Sequence, residues 1–226
     1  MNPARCFLFP SILTVLFAAG PRSGGTPAPK TIKLPQPMHT GKTPVEKALQ
    51  ERHSVREYRR LPLTLAEISQ LLWAAQGISG FGDRRTAPSA GALYPLEVHV
   101  VIGNVTGVSA GVYAYNPQEH ELTRTEAGDK RLPLCQAALG QRWVRDAAAA
   151  IVLSAVYERT TINYGERGIR YVHMEAGHAA QNVSLQAVSL DLGTVVIGAF
   201  HDEEVKAIVG LSGREAPLYI IPVGRE

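Results

Sequence analysis

The segment GERGIRYVHMEAGHAAQNVSLQAVSLDL, Gly165 to Leu192, decides the fold. Its apolar positions Ile169, Val172, Ala176, Ala179 or Ala180, Val183, Ala187 and Leu190 recur every three or four residues, the spacing that lines one face of an α-helix. The pattern predicts one long amphipathic helix with Gly193 as its stop. Small residues gather in its middle, at Ala176, Gly177, Ala179 and Ala180, so another element can approach closely there. That suits a central packing position or a dimer contact.

Upstream, Ala147 to Val156 is a nearly unbroken apolar run, and its Ile151, Val152 and Val156 favour a buried strand over a helix. Leu96 to Ile102 sets Leu96, Val98, Val100 and Ile102 against Glu97 and His99, which predicts a half-buried strand. Val112 to Tyr115, closed by Asn116-Pro117, predicts another. Downstream lie a strand over Thr194 to Ile197, a helix over Asp202 to Val209 and a last strand over Leu218 to Val223. Towards the N-terminus, Thr43-Pro44-Val45-Glu46 has the form of a capping box with proline at the first helical position, predicting a short helix that runs to Arg52. The signature returns at Thr64 to Glu67, followed by Leu65, Ile68, Leu71, Leu72 and Ala75 at helical spacing and by Gly77 as a stop. Together these elements make one α+β domain over 43–226.

Ahead of that domain, Arg5 precedes an apolar stretch from Cys6 to Ala19, and Ala18-Ala19-Gly20 offers small residues for cleavage. Residues 1–20 therefore read as an export signal, implying a periplasmic or secreted protein; the alternative is a cytoplasmic protein whose start is misassigned. The stretch is shorter than the roughly 20 apolar residues that span a bilayer, so no stable membrane span is expected. Residues 21–42, with Pro21, Gly24, Gly25, Pro27, Pro29, Pro35 and Pro37, read as a flexible linker.

A net charge of +3 with scattered arginines leaves no basic stripe, which argues against a nucleic-acid partner. Two cysteines, Cys6 and Cys135, build no disulfide framework, and Cys135 reads as a small buried hydrophobe. His173 and His178 are five apart and fall on different helix faces, so no metal site is expected.

Four short segments could carry chemistry. Arg52-His53-Ser54-Val55-Arg56 closes the first helix with two guanidinium forks and a hydroxyl, a set suited to a phosphate, although arginines in a last helical turn also offset the helix dipole. Pro88-Ser89-Ala90-Gly91-Ala92-Leu93-Tyr94-Pro95 is a loop of small residues in which Gly91 can take positive φ and admit a flat ligand close to the backbone. Val196-Ile197-Gly198-Ala199-Phe200 follows a short strand, and Gly198 leaves a backbone N–H open to a ligand atom. Pro222-Val223-Gly224-Arg225 places one more arginine after the last strand. Each of the last three also serves as ordinary fold punctuation.

Taken in order, these segments resemble the nitroreductase superfamily from about Val45 to Arg225. The helix motif Glu175-Ala176-Gly177-His178-Ala179-Ala180-Gln181-Asn182 and Glu215-Ala216-Pro217-Leu218 resemble its azoline-oxidising branch, associated with thiazole and oxazole formation in peptides. The resemblance implies an antiparallel-rich central sheet flanked by helices, around a long central helix. It implies a homodimer with FMN at the subunit interface, contacted by Arg52, His53, Ser54, Arg56 and Arg225, by Pro88, Ser89, Gly91 and Leu93 along the isoalloxazine, and by Ile197 and Gly198 near N5. His178, Gln181 and Asn182 read as packing or interface hydrogen bonders.

The function implied is an FMN-dependent oxidoreductase that reduces a nitroaromatic, quinone or similar flat acceptor with NAD(P)H. No dinucleotide glycine fingerprint is present, so a nicotinamide would dock transiently. The alternatives are an azoline dehydrogenase acting on a peptide, and a flavin-binding protein without turnover. In the azoline branch a Lys-Tyr pair before the long helix is tied to oxidation. Here the pair reads Asn163-Tyr164, which leaves Tyr164 as the catalytic candidate and removes the base, because an amide does not ionise in the useful range.

Overall fold

The apolar run after Ala147 forms β5 (Ala149–Val156), an interior strand of one sheet. In the computed structural model, which describes Met1 and residues 31–80 and 82–226, β5 lies between β2 (Leu96–Ile102) and β7 (Glu215–Gly224). With β1 (Thr31–Lys33), β3 (Gly111–Asn116), β4 (Glu121–Ala127) and β6 (Gly193–Thr194) it makes a seven-stranded sheet in the order β1-β4-β3-β2-β5-β7-β6. Every pairing is antiparallel.

Helices cover both faces, and each face buries its own apolar core. On one face lie α1 (Val45–Glu51), α2 (Leu65–Gln76) and α6 (Arg167–Ser189); Val172, Ala176, Ala179, Val183 and Ala187 of α6 pack with Ile68, Leu71 and Leu72 of α2 over Val98, Val100, Ile151 and Leu153. On the other lie α3 (Arg131–Ala137), α4 (Arg142–Asp146) and α7 (Asp202–Val209), over Val101, Val112, Val152 and Ile220. The short α5 (Glu158–Tyr164) joins β5 to α6. Cys135 is buried, with its thiol towards the Gln141 carbonyl.

Several expectations need correction. β2 is buried along nearly its whole length, because it lies between β3 and β5 with helices on both faces. Its polar residues are accommodated by partners: Arg159 pairs with Glu97, and Glu215 bonds His99 Nε2 at 2.9 Å. The same Glu215 accepts from the Ser154 hydroxyl at 2.8 Å and the Ser212 N–H at 3.1 Å, joining β2, β5 and β7 through one buried polar cluster. Helix α6 ends at Ser189, before Gly193; Gly193 instead enters β6, where a Cβ would meet Val55 at 2.6 Å. The strand expected over Thr194 to Ile197 shrinks to Gly193–Thr194 and an isolated bridge from Ile197 to Ile220.

The two capping-box sequences behave differently. At Thr64 the box closes in both directions, with the Glu67 N–H on the Thr64 hydroxyl at 3.2 Å and the Thr64 N–H on the Glu67 carboxylate at 2.8 Å. At Thr43 no cap bond forms, because Pro44 takes the cap position and shifts Glu46 out of the third helical place.

The expected export signal, 1–20, lies outside the described residues except for Met1, as does the linker up to residue 30. The remainder of that linker is built into the domain. Thr31–Lys33 pairs with β4, Leu34 is buried, and the Ser69 hydroxyl donates to the Pro35 carbonyl at 2.6 Å. Gln70 grips Met38 at both its N–H and its carbonyl, at 2.8 and 3.0 Å.

No described helix is long and apolar enough to cross a membrane. Among the described residues no three His, Cys, Asp or Glu side chains are grouped to hold a metal ion.

Candidate functional site

The four segments form two groups. Arg52 caps the end of α1, and the chain then runs beside the end of β7: the Val55 N–H bonds the Thr194 carbonyl at 2.9 Å and the Arg59 N–H bonds the Arg225 carbonyl at 2.9 Å. Tyr58 fixes this crossing. Its hydroxyl donates to the Val55 carbonyl at 3.0 Å, its ring lies where a Cβ on Gly224 would sit, and burial pushes its phenol well above the ordinary value.

In this first group Arg52 is half-buried, and His53, Ser54 and Arg56 are exposed, with the His53 ring bonded to the Glu51 carbonyl at 3.0 Å. The Arg56 guanidinium lies over the Trp143 ring at 5.7 Å. Neither Arg52 nor Arg56 has a carboxylate within 4.0 Å among the described residues. Arg225 is different: it donates to both Glu67 carboxylate oxygens, at 2.8 and 3.0 Å, and so ties the end of β7 to the closed capping box of α2. Ile197 is buried in the core of the α3–α4–α7 face, bridged to Ile220 at mid-sheet, and the exposed Gly198 that follows lies near Tyr219.

The second group is the Pro88 loop. Gly91, Ala92 and Tyr94 all adopt positive φ, of 59, 53 and 45°. Ala and Tyr take that conformation only when the surroundings enforce it, at a cost of roughly 1–2 kcal/mol each. The enforcing contacts are visible. Glu175 of α6 accepts the Ala90 N–H at 2.9 Å, Ser89 accepts the Tyr94 N–H at 2.9 Å, and Asn182 donates to the Thr86 carbonyl at 3.2 Å. Burial pushes the Glu175 carboxyl above its ordinary range, partly offset by the Ala90 N–H, the Ser89 hydroxyl and nearby His178. His178 and Gln181 face outward, exposed on α6.

Tyr164, at the end of α5, brings its hydroxyl over Gly91, and Asn163 beside it is exposed. The sequence reading missed Glu175 as a positioning residue. The signal was a lone carboxylate beside the apolar face formed by Val172, Ala176 and Ala179.

The two groups lie at opposite ends of the sheet. The Pro88 loop feeds Leu96, paired with Ala155 and, through it, level with Ala216, whereas the arginine group adjoins Gly193 and Gly224 at the far end. Between β2 and β6 stand three strand spacings, about 14 Å.

Comparison with known proteins agrees with this architecture. The model of the nitroreductase family matches residues 49–225. MJ1384 of Methanocaldococcus jannaschii, a candidate nitroreductase, is 48% identical over 182 residues, covering 80% of this chain and 91% of its own. A candidate nitroreductase from Anabaena variabilis superposes with a TM-score of 0.78 at 32% identity, over 88% of this chain but 42% of that chain. The microcin B17-processing protein McbC of Escherichia coli is 31% identical over 166 residues, covering 70% of this chain and 61% of McbC, so the chain spans less than two thirds of these last two proteins. The seven-stranded antiparallel sheet with helices on both faces is a nitroreductase-like α+β fold. The chain belongs to the nitroreductase family.

Proposed function

We propose that the protein is an FMN-dependent oxidoreductase that works as a homodimer and passes hydride from NADH or NADPH to a flat acceptor such as a nitroaromatic or a quinone. The observation that carries the reading is the pair Arg52 and Arg56, without carboxylate partners among the described residues, on either side of the exposed Ser54 hydroxyl. Two planar, permanently charged forks around a hydroxyl fit a phosphate and the polar edge of a flavin. Bound FMN supplies a two-electron hydride carrier.

The chain's own residues do the rest. Arg52, Ser54 and Arg56 hold the anionic and polar parts of the cofactor, with His53 alongside. Gly198 offers an exposed backbone N–H without a side chain. Pro88, Ser89, Gly91 and Leu93 present a flat backbone surface, held in shape by Glu175 before any ligand arrives. Tyr164 places a hydroxyl over that surface, where it can give a proton to an acceptor. Arg225 acts through the fold, since Glu67 occupies its guanidinium.

The placement of the two groups supports the homodimer. A flat ligand meets both only where a second copy brings its own loop to the first copy's arginines. Exposed apolar side chains on the α5–α6 corner beside the loop, Ile162, Ile169 and Met174, give that second copy a surface to cover.

A second reading, azoline oxidation on a peptide, is favoured by the likeness to McbC. Asn163 weighs against it, because it supplies no base for a carbon-bound proton. The deciding experiment is an absorption spectrum of the purified protein followed by anaerobic NADH titration. A noncovalent flavin bleached by NADH is expected; a colourless protein that takes up no added FMN overturns the reading.

A further inference from the structure

The arm that carries β1 meets the domain at one histidine. His120, in the turn between β3 and β4, accepts the Leu34 N–H on its carbonyl at 3.1 Å. Its ring reaches both ways: Nε2 lies 2.7 Å from the Ser69 hydroxyl of α2 and 2.9 Å from the Pro35 carbonyl of the arm, while Nδ1 lies 2.9 Å from the Tyr115 hydroxyl of β3. Ser69 and Tyr115 are both buried, and the Tyr115 hydroxyl has no other hydrogen-bond partner among the described residues.

These contacts fix the tautomer of the ring. A serine hydroxyl has one proton, and Ser69 gives it to the Pro35 carbonyl at 2.6 Å, since a carbonyl can only accept. Nε2 faces that same carbonyl and the Ser69 oxygen, so it carries a proton and donates. In a neutral imidazole the other nitrogen is then a bare acceptor, and Nδ1 takes the Tyr115 O–H. A second proton on the ring would go to Nδ1, set it as a donor against the phenol, and leave the Tyr115 O–H without an acceptor.

The surroundings also oppose that proton. Lys33 of β1 acts on the ring, and Arg85, from the segment after α2, acts on Tyr115. The carboxylates of Glu119 and Glu121 are drawn to Lys33, at 3.4 and 3.9 Å, and α2 contributes the uncharged Ser69. Burial, opposed by the Pro35 carbonyl and helped by Lys33, holds the ring below the ordinary histidine value. We propose that His120 is a pH-sensitive latch: neutral, it holds Thr31 to Pro35 on the sheet; protonated, it lets that arm lift from β4. The released ring takes a proton at the ordinary value and the latched ring only below it, so docking is strongest at neutral pH and weakens as pH falls through the ordinary value. The proposal does not rest on flavin binding.

The test follows the His120 ring nitrogens and hydrogen exchange at the Leu34 N–H by NMR in the full chain, between about pH 7.5 and 4.5, a window that brackets the ordinary histidine pKa. Exchange rates are divided by those of an unstructured chain. At neutral pH the ring is expected to carry its proton on Nε2. Protection at Leu34 should fall as pH drops below the ordinary histidine value of 6.5, by about tenfold for each unit by which latching lowers the ring's pKa, while Ile151 in β5 keeps its protection. His120→Gln cannot take up a proton and should make Leu34 protection independent of pH. The proposal is overturned if the neutral ring carries its proton on Nδ1, if Leu34 protection stays constant over this range, if it falls only together with that of Ile151, or if His120→Gln retains the pH dependence. Should His120→Gln fail to fold, the ring assignment and the Leu34-against-Ile151 comparison in the unaltered chain decide alone.

Discussion

The phenolic oxygen of Tyr164 stands 2.9 Å from the point where a side chain on Gly91 would begin. Loop and helix corner are therefore matched to each other, and Gly91→Ala offends twice, through the clash and through its positive φ of 59°. We expect it to lose roughly 1–2 kcal/mol of stability from the backbone alone. It should also displace the hydroxyl and reduce turnover more than tenfold. Tyr164→Phe should keep flavin bound and the melting temperature unchanged while reducing turnover about 100-fold, the lower range for a lost proton donor. Full activity in Tyr164→Phe would remove the proton-donor role.

Arg52 and Arg56 should separate from Arg225 by readout. Alanine at either of the first two is expected to weaken flavin binding by about 1.5–3 kcal/mol, the range for a charged hydrogen bond, with little change in melting temperature. Arg225→Ala breaks the tie to Glu67 and should lower the melting temperature first. Flavin titrations beside thermal melts distinguish the two patterns.

Glu175 is buried at 4% exposure, and its folded pKa is raised, chiefly by burial. Its charged form therefore opposes folding: the protein gains most from this position below the unfolded pKa and loses that gain as pH rises through the folded pKa. Glu175→Gln keeps an acceptor for the Ala90 N–H without the charge, so it should be more stable than the parent at pH 8, with the difference fading at pH 4. Glu175→Ala strands that N–H, costs about 1–3 kcal/mol, and should loosen flavin binding as well. Urea unfolding at the two pH values checks both.

At Glu215 the sign is reversed. Burial raises its pKa, but hydrogen bonds from His99, Ser154 and the Ser212 N–H, with the charge of His99, outweigh that and bring it from 4.5 to about 2. A depressed carboxylate stabilises the fold above its unfolded pKa and ceases to as pH falls through the folded one, so this contribution should disappear between about pH 4.5 and 2. Glu215→Ala should cost on the order of 3 kcal/mol at pH 7, the loss typical of one partner removed from a buried pair. In that variant the acid limb of the stability profile should flatten. An unchanged acid limb would show that the cluster does not set it.

The elements that could be read from sequence are those whose burial is one-sided or complete. Val172, Ala176, Val183 and Ala187 announce α6, Ile151 to Leu153 announce β5, and Asp202–Val209 matches α7 at both ends. Strand β4, Glu121–Ala127, gave no signal, because only Leu122 is buried and the rest of ELTRTEA is polar apart from the terminal Ala127; its pairing with β3 and β1 makes it a strand. Gly193 looked like a helix stop because glycine suits both that role and its actual one, close packing on Val55. In the candidate site, the small-residue loop and the arginines were legible from residue type. What could not be read was tertiary pairing: that Glu67 would claim Arg225, that Glu175 would pin Ala90, or that the two groups would lie at opposite ends of the sheet.

The arm from Thr31 to Met38 shields one margin of the sheet, since without it β4 would offer a bare row of backbone donors and acceptors to any passing strand. At the other margin the two-residue β6 and the Ile197 bridge cover Gly224, Val223 and Ile220 of β7. A cut upstream of Thr31 would leave β4 covered, whereas one a few residues further on would strip Leu34 from its seat and open β4 to strand-by-strand association.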